Sequence, residues 1–142
     1  MNKYGFQRHL TSEFPSQIIC DVTEYCNLAC IHCPHPDFSK SDLWNGRELD
    51  LKIHKKMIDE VTTDGEGYCQ YVRYTSNGDP LLHPKFLEMI EYAGKRLKST
   101  AINVTTNGKM LDKKRASKLL DSGVHIFDIS IDAYHEHTYS KI

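Results

Sequence analysis

Nothing in this 142-residue chain approaches the run of ~20 apolar residues that a membrane span needs. Its start, Met1-Asn2-Lys3-Tyr4-Gly5, lacks the apolar core of a secretory signal. These two absences set the expectation of a cytoplasmic protein. Charge of one sign is missing as well, since 18 Lys and Arg stand against 19 Asp and Glu for a formal net charge of -1. That balance leaves no broad basic field for nucleic acid or an anionic membrane, and a small, specific ligand is the better expectation. No internal sequence repeat is visible, and the length suits one domain with a real core. The most telling absence concerns cysteine. Cys26, Cys30 and Cys33 form a tight trio, and no fourth cysteine follows at a spacing that would complete a four-thiolate set.

Clustered cysteines in a reducing compartment bind metal more often than they build a disulfide framework, and five is an odd number to pair. Iron–sulfur clusters are usually held by four thiolates, so three at this spacing point to a [4Fe–4S] cluster with one iron open to another ligand. The other two cysteines test that reading. Cys20 falls in step with Ile18 and Val22 on an apolar strand face. Cys69 precedes the second predicted strand, which puts it at the far end of the sheet, ~20 Å away for six residues at ~3.3 Å each. Both read as ordinary core cysteines.

Along the chain, residues 1–15 lack periodicity and read as an N-terminal arm, with 16–142 as the folded domain. Branched residues in 16–23 predict a first strand that runs straight into the cysteine loop. A helix follows from about Asp50 to Val61, with Ile53, Met57, Ile58 and Val61 on its apolar face. The second strand, 71–76, ends on Asn77-Gly78-Asp79-Pro80. Pro84 suits the first turn of a second helix that carries Phe86, Ile90, Ala93 and Leu97. The third strand, 101–106, closes on Asn107-Gly108. Asp112 is the N-cap of a third helix with Ala116, Leu119 and Leu120 inward and Gly123 as its C-terminal glycine.

In the fourth strand, 124–132, Phe127, Ile129 and Ile131 alternate with Asp128, Ser130 and Asp132. Strands alternating with helices build a parallel α/β sheet through right-handed crossovers, and chemistry in such sheets gathers at the C-terminal strand ends. The cysteine loop, the Asn77 loop, the Asn107 loop and Ser130 to Asp132 should therefore meet. A carboxylate–hydroxyl–carboxylate strand face fits the border of a polar cavity, with a solvated edge strand as its plain alternative.

The Cys-x3-Cys-x2-Cys spacing after a first strand, with His32 just before the third cysteine, resembles the radical S-adenosylmethionine (radical SAM) superfamily. The resemblance spans residues 16–142. Ser76-Asn77-Gly78-Asp79-Pro80 is similar to the family's Gly-Gly-Glu-Pro segment, Thr105-Thr106-Asn107-Gly108 to its third-strand Thr-Asn-Gly, and Ile129-Ser130-Ile131-Asp132 to its fourth-strand Ser-x-Asp. Asn77 and Asp79 depart from the family's Gly and Glu. The region most resembles the subgroup that often carries a SPASM-type or twitch-type extension and modifies peptides, proteins or small metabolites.

The resemblance implies a partial (βα)6 TIM-like barrel, of which this chain holds about the first four units, so that a fragment of a longer enzyme is expected. It implies that Cys26, Cys30 and Cys33 hold three irons while the fourth binds the methionine part of S-adenosylmethionine. Reductive cleavage then yields a 5′-deoxyadenosyl radical that takes a hydrogen atom from a substrate. An electron donor such as flavodoxin or ferredoxin is implied too. By the same resemblance Asn77, Gly78, Asp79 and Pro80 belong at the methionine amine. Thr105, Asn107, Ser130 and Asp132 belong near the ribose and carboxylate, and His32 at the adenine.

Plainer readings stand beside these. The Asn77 and Asn107 segments are also good turns. His32, His35, His135 and His137 could be solvated, and Arg73 and Lys109 solvated or core-paired. A zinc module with the three cysteines and His32 or His35 is the competing metal site, and a non-catalytic remnant of the fold is a third possibility.

Overall fold

The computed structural model describes residues 12–75 and 77–142. Most of the predicted arm therefore lies outside the described residues, as does Ser76. Phe14, from the end of that arm, packs against the core.

Four strands form one parallel sheet in the order β1 (Gln17–Cys20), β2 (Tyr71–Tyr74), β3 (Ala101–Thr106), β4 (Ile126–Ile129). The helices are α1 (His35–Phe38), α2 (Leu51–Thr63), α3 (Phe86–Arg96), α4 (Lys113–Asp121) and α5 (Glu136–Tyr139). Strand and helix alternate from β1 to α4 as predicted, apart from α1 and a short 3-10 turn, Pro80–Leu82, that opens the route from β2 to α3.

Register explains why one sheet face is apolar and the other polar. Cys20, Tyr74, Val104 and Phe127 stand abreast across the strands, with Val72 beside Ile102 in the next row on the same face. This face packs into one core with Ile58 and Val61 of α2, Met89, Ile90 and Ala93 of α3, and Leu119 of α4. Full burial of such side chains contributes about 1.5–3 kcal/mol each. On the opposite face Arg73 lies between Ile19 and Asn103, and Thr105 lies beside Asp128. Arg73 Nη2 donates to Asp128 Oδ2 at 3.2 Å, its Nε donates to Thr105 Oγ1 at 3.3 Å, and Asn103 Nδ2 donates to Asp128 at 3.0 Å. Arg73 is thus paired within the sheet, and Asp128 serves that cross-strand network.

Helix caps follow local chemistry. Asp50 accepts the Lys52 N–H at 2.8 Å, and Asp112 accepts the Arg115 N–H at 2.6 Å, each satisfying an orphan donor of the first turn. Gly123 follows α4 with φ +92°, a left-handed geometry that suits glycine.

The fourth strand is shorter than expected, Ile126–Ile129, leaving Ile131 69% exposed beyond its end, and three further details differ from the periodicity-based expectations. Ile53 is 60% exposed, and its neighbour His54 takes the inward position with no exposure at all. The rotation is set by the Tyr74 hydroxyl, which shares a 2.8 Å hydrogen bond with His54 Nε2 and gives a buried imidazole a partner. In α4, Leu119 is buried while Leu120 is 60% exposed, because a helix one layer from the sheet buries a narrow stripe. Pro84 lies outside α3, whose N-cap is Lys85. His83 Nδ1 accepts the Lys85 N–H and the His83 carbonyl accepts the Phe86 N–H, so the turn before the helix is closed by histidine.

Candidate functional site

The cysteine loop starts where β1 ends and is held from behind by residues 45–49. Leu49 N–H donates to the Val22 carbonyl at 2.8 Å and Glu24 N–H to the Arg47 carbonyl at 3.0 Å. The Glu24 carboxylate in turn accepts the Arg47 N–H at 2.9 Å, the Asn45 N–H at 3.4 Å and the Arg47 guanidinium at 2.8 Å. These bonds, led by the Arg47 backbone N–H, hold the Glu24 carboxyl below the usual carboxylate range. Sequence reading passed over this clasp because Glu24 and Arg47 lie more than twenty residues apart.

The second loop is pressed against the first by close backbone approach. A Cβ on Gly78 would collide with the carbonyl oxygens of Thr23 and Tyr25, so only glycine fits there. The neighbouring Asp79 N–H donates to the Tyr25 carbonyl at 2.8 Å. Asp79 also ties this loop to the third. Its buried carboxylate accepts the Leu81 N–H at 2.9 Å, the Thr106 hydroxyl at 2.8 Å and the Asn107 N–H at 2.8 Å. Asn77 Nδ2 donates to Asp21 Oδ2 at 3.1 Å just beyond β1.

These strand ends surround a cavity of about 460 Å³. Cys26, Cys30, Cys33 and His32 line it from the first loop, and Asn77, Gly78 and Asp79 from the second. Thr105 and Asn107 line it from β3, and Ser130 and Asp132 from beyond β4. Every expected site residue is therefore on this cavity except Pro80, which is buried at the start of the 3-10 turn behind it. Thr75, Thr106, Leu28, Ala29 and Tyr139 also line the cavity without having been singled out. Thr75 and Thr106 already lie at the C-terminal ends of the predicted second and third strands, and taking in the strand residues just before each loop would have found them. Tyr139 comes from α5, and its neighbour Ile142 accepts the Ile31 N–H at 3.1 Å, a contact with no signature in sequence.

The electrostatics favour a cationic occupant beside the cysteines. Burial, and then the Asp132, Cys26 and Cys33 charges, push the Cys30 thiol up, so three thiolates there call for positive charge in return. The sulfurs already meet N–H donors: His35 N–H lies 3.5 Å from Cys33 Sγ, and Asn107 Nδ2 lies 3.9 Å from Cys26 Sγ. Cys20 and Cys69 are buried away from the cavity, and burial pushes their thiols up to about 12 and about 11, as inert core cysteines require.

The zinc alternative fits less well. His35 is buried and its Nε2 is bonded to the Glu24 carbonyl at 2.8 Å, which also corrects the expectation of a solvated loop histidine. His32 Nε2 lies 3.8 Å from Asp132 Oδ2. Among the described residues, no three His, Cys, Asp or Glu side chains are gathered tightly enough to share one ion. Three thiolates spaced around a cavity suit a polynuclear cluster, in which each sulfur binds a different iron.

The chain is 28% identical over 119 residues to the Fe-coproporphyrin III synthase of Methanosarcina barkeri, covering 84% of this chain and 28% of that protein. It is 33% identical over 130 residues to the AdoMet-dependent heme synthase of the same organism, covering 89% of this chain and 34% of that one. It thus spans about a third of the length of these curated relatives. In fold it resembles the crystal structure of BtrN in complex with AdoMet and 2-DOIA, with a TM-score of 0.72 at 22% identity over 90% of this chain and 51% of that chain. The radical SAM superfamily model matches residues 21–142, from the end of β1 through all four strand-end loops, and the chain therefore belongs to that superfamily, whose cofactors are a [4Fe–4S] cluster and S-adenosylmethionine.

Proposed function

We propose that residues 16–142 form the cofactor-binding part of a radical SAM enzyme. The carrying observation is the convergence of Cys26, Cys30 and Cys33 with three further strand-end segments on one cavity. Its volume of about 460 Å³ lies in the range of cofactor sites. The chemistry supplied by the bound cofactors is one-electron reductive cleavage of S-adenosylmethionine, giving a 5′-deoxyadenosyl radical that takes a hydrogen atom from a peptide, protein or small-metabolite substrate.

The protein's part is to hold, orient and shield. Cys26, Cys30 and Cys33 bind three irons. Backbone carbonyls of Asn77 and Gly78 would suit the methionine amine, since the Asp79 carboxylate is already occupied by donors of the chain and its carbonyl accepts the Leu82 N–H at 3.0 Å. Thr105, Ser130 and Asp132 offer hydroxyl and carboxylate groups for the ribose and the polar end of the cofactor. His32, exposed at the rim, would stack on the adenine. Pro80 fixes the backbone behind the second loop. A small electron-transfer protein such as flavodoxin or ferredoxin supplies the electron.

The test is anaerobic reconstitution with iron and sulfide, followed by an assay for reductant-dependent 5′-deoxyadenosine. Formation that disappears in Cys30→Ala supports the proposal. Formation that survives that substitution contradicts it.

A further inference from the structure

The Asn107 side chain has a different set of partners from the one its position in a Thr-Asn-Gly segment suggests. Its Oδ1 accepts the Lys109 N–H at 2.9 Å, which fixes which end of the amide is which. The Nδ2 group then faces the cysteine loop. One of its protons goes to Asn27 Oδ1 at 2.8 Å, and the other is directed at Cys26 Sγ, 3.9 Å away. The backbone beneath is equally fixed, because the Asn107 N–H donates to Asp79 Oδ2 at 2.8 Å and the preceding Thr106 hydroxyl bonds the same carboxylate. Both amide protons and one oxygen lone pair are thereby committed to the chain itself. Little is left for a ribose or a carboxylate.

We infer that Asn107 is a positioning residue for the cluster: it donates N–H to the Cys26 sulfur and sets the cluster's reduction potential, and it does not bind S-adenosylmethionine. This rests on the reading of the cysteine trio proposed above. The reduced cluster carries one more negative charge than the oxidised one, and part of that charge resides on the cysteine sulfurs. A donor held on a sulfur therefore stabilises the reduced state more than the oxidised state and raises the potential. Asn27 adds to the effect by position, since it follows Cys26 directly and its side chain steers the amide toward the sulfur.

The test is a redox titration of the reconstituted cluster, followed by electron paramagnetic resonance, in the wild type, Asn107→Leu, Asn107→Asp and Asn27→Ala proteins. Leu keeps the approximate shape and removes the donor; Asp removes it and adds negative charge. The expected result is a midpoint potential that moves to more negative values in Leu, further in Asp, and by a smaller step in the same direction in Asn27→Ala. Affinity for S-adenosylmethionine, measured by equilibrium binding to the oxidised cluster, should hold within about twofold in Leu. Unchanged potentials in clusters of full iron and sulfide content, or a large loss of cofactor affinity with the potential intact, would overturn the inference alone. A wild-type protein that takes up no cluster would overturn the proposed function with it. If both Asn107 variants fail to fold, Asn27→Ala decides: a shift to more negative potential supports the donor role and no shift contradicts it.

Discussion

The Thr106 hydroxyl donates to the Asp79 carboxylate at 2.8 Å, with both side chains buried and 27 positions apart in sequence. That bond joins the end of β3 to the loop after β2, and the Asn107 N–H on the same carboxylate doubles it. Asp79 is therefore a bolt between two walls of the cofactor cavity.

Removing the bolt should cost more than any surface change. Asp79→Ala leaves the Leu81 and Asn107 N–H groups and the Thr106 hydroxyl without their acceptor. We expect a loss of about 3 kcal/mol or more in urea unfolding, given 1.5–3 kcal/mol for a hydrogen bond to a charged group. Asp79→Asn should lose roughly half as much. Asp79→Glu restores the family's usual residue yet adds a methylene to a buried site, and should cost about 1–3 kcal/mol through overpacking. A neutral Asp79→Ala would contradict the bolt.

Gly78 tests the contact between the first two loops. In Gly78→Ala the new methyl must push the segment away from the Thr23 and Tyr25 carbonyls. Iron content per chain after reconstitution should fall, with stability down by about 1–3 kcal/mol in thermal unfolding. Full iron loading at unchanged stability would mean that the loops tolerate separation.

How much of this was legible in sequence depends on which force set each feature. The strand–helix order, β3 to the residue and the cap at Asp112 follow from local preferences, so periodicity and turn chemistry were enough. The site segments were legible because each sits at a strand end, where a parallel sheet must bring them together. What escaped was set by partners distant in sequence. His54 turned inward to meet Tyr74, twenty residues on, at a helix position that hydrophobicity assigned to Ile53. The Asp79 carboxylate looked free for a cofactor amine until its three donors, two of them from the third loop, were in place. The Glu24–Arg47 clasp pairs residues whose types alone carry no signal.

His54 makes stability depend on pH. Burial holds its imidazole down at about 4, below the ordinary value of 6.5, and His83 and Lys55 add to that. The unfolded chain therefore takes up the proton first as pH falls, and the folded state is penalised between about 6.5 and about 4. Stability should be complete above that window and fall within it by up to about 1.4 kcal/mol per pH unit. His54→Phe should flatten the slope in denaturant titrations from pH 7 to pH 5, whatever it does to stability itself. An unchanged slope would assign the dependence to other groups.

The clasp behind the cysteine loop separates backbone support from surface charge. Glu24→Ala strips the acceptor from the Arg47 and Asn45 N–H groups, whereas Arg47→Ala removes only an exposed guanidinium. Cluster retention during anaerobic gel filtration should fall clearly in Glu24→Ala and little in Arg47→Ala. Equal losses would make the ion pair, and not the backbone contacts, the support.

The central claim is that Cys26, Cys30 and Cys33 hold a [4Fe–4S] cluster, and metal and sulfide analysis of the anaerobically reconstituted protein tests it most directly. The account predicts about four irons and four acid-labile sulfides per chain, lost together in Cys30→Ala. Zinc bound at one ion per chain, with neither iron nor sulfide, would contradict it.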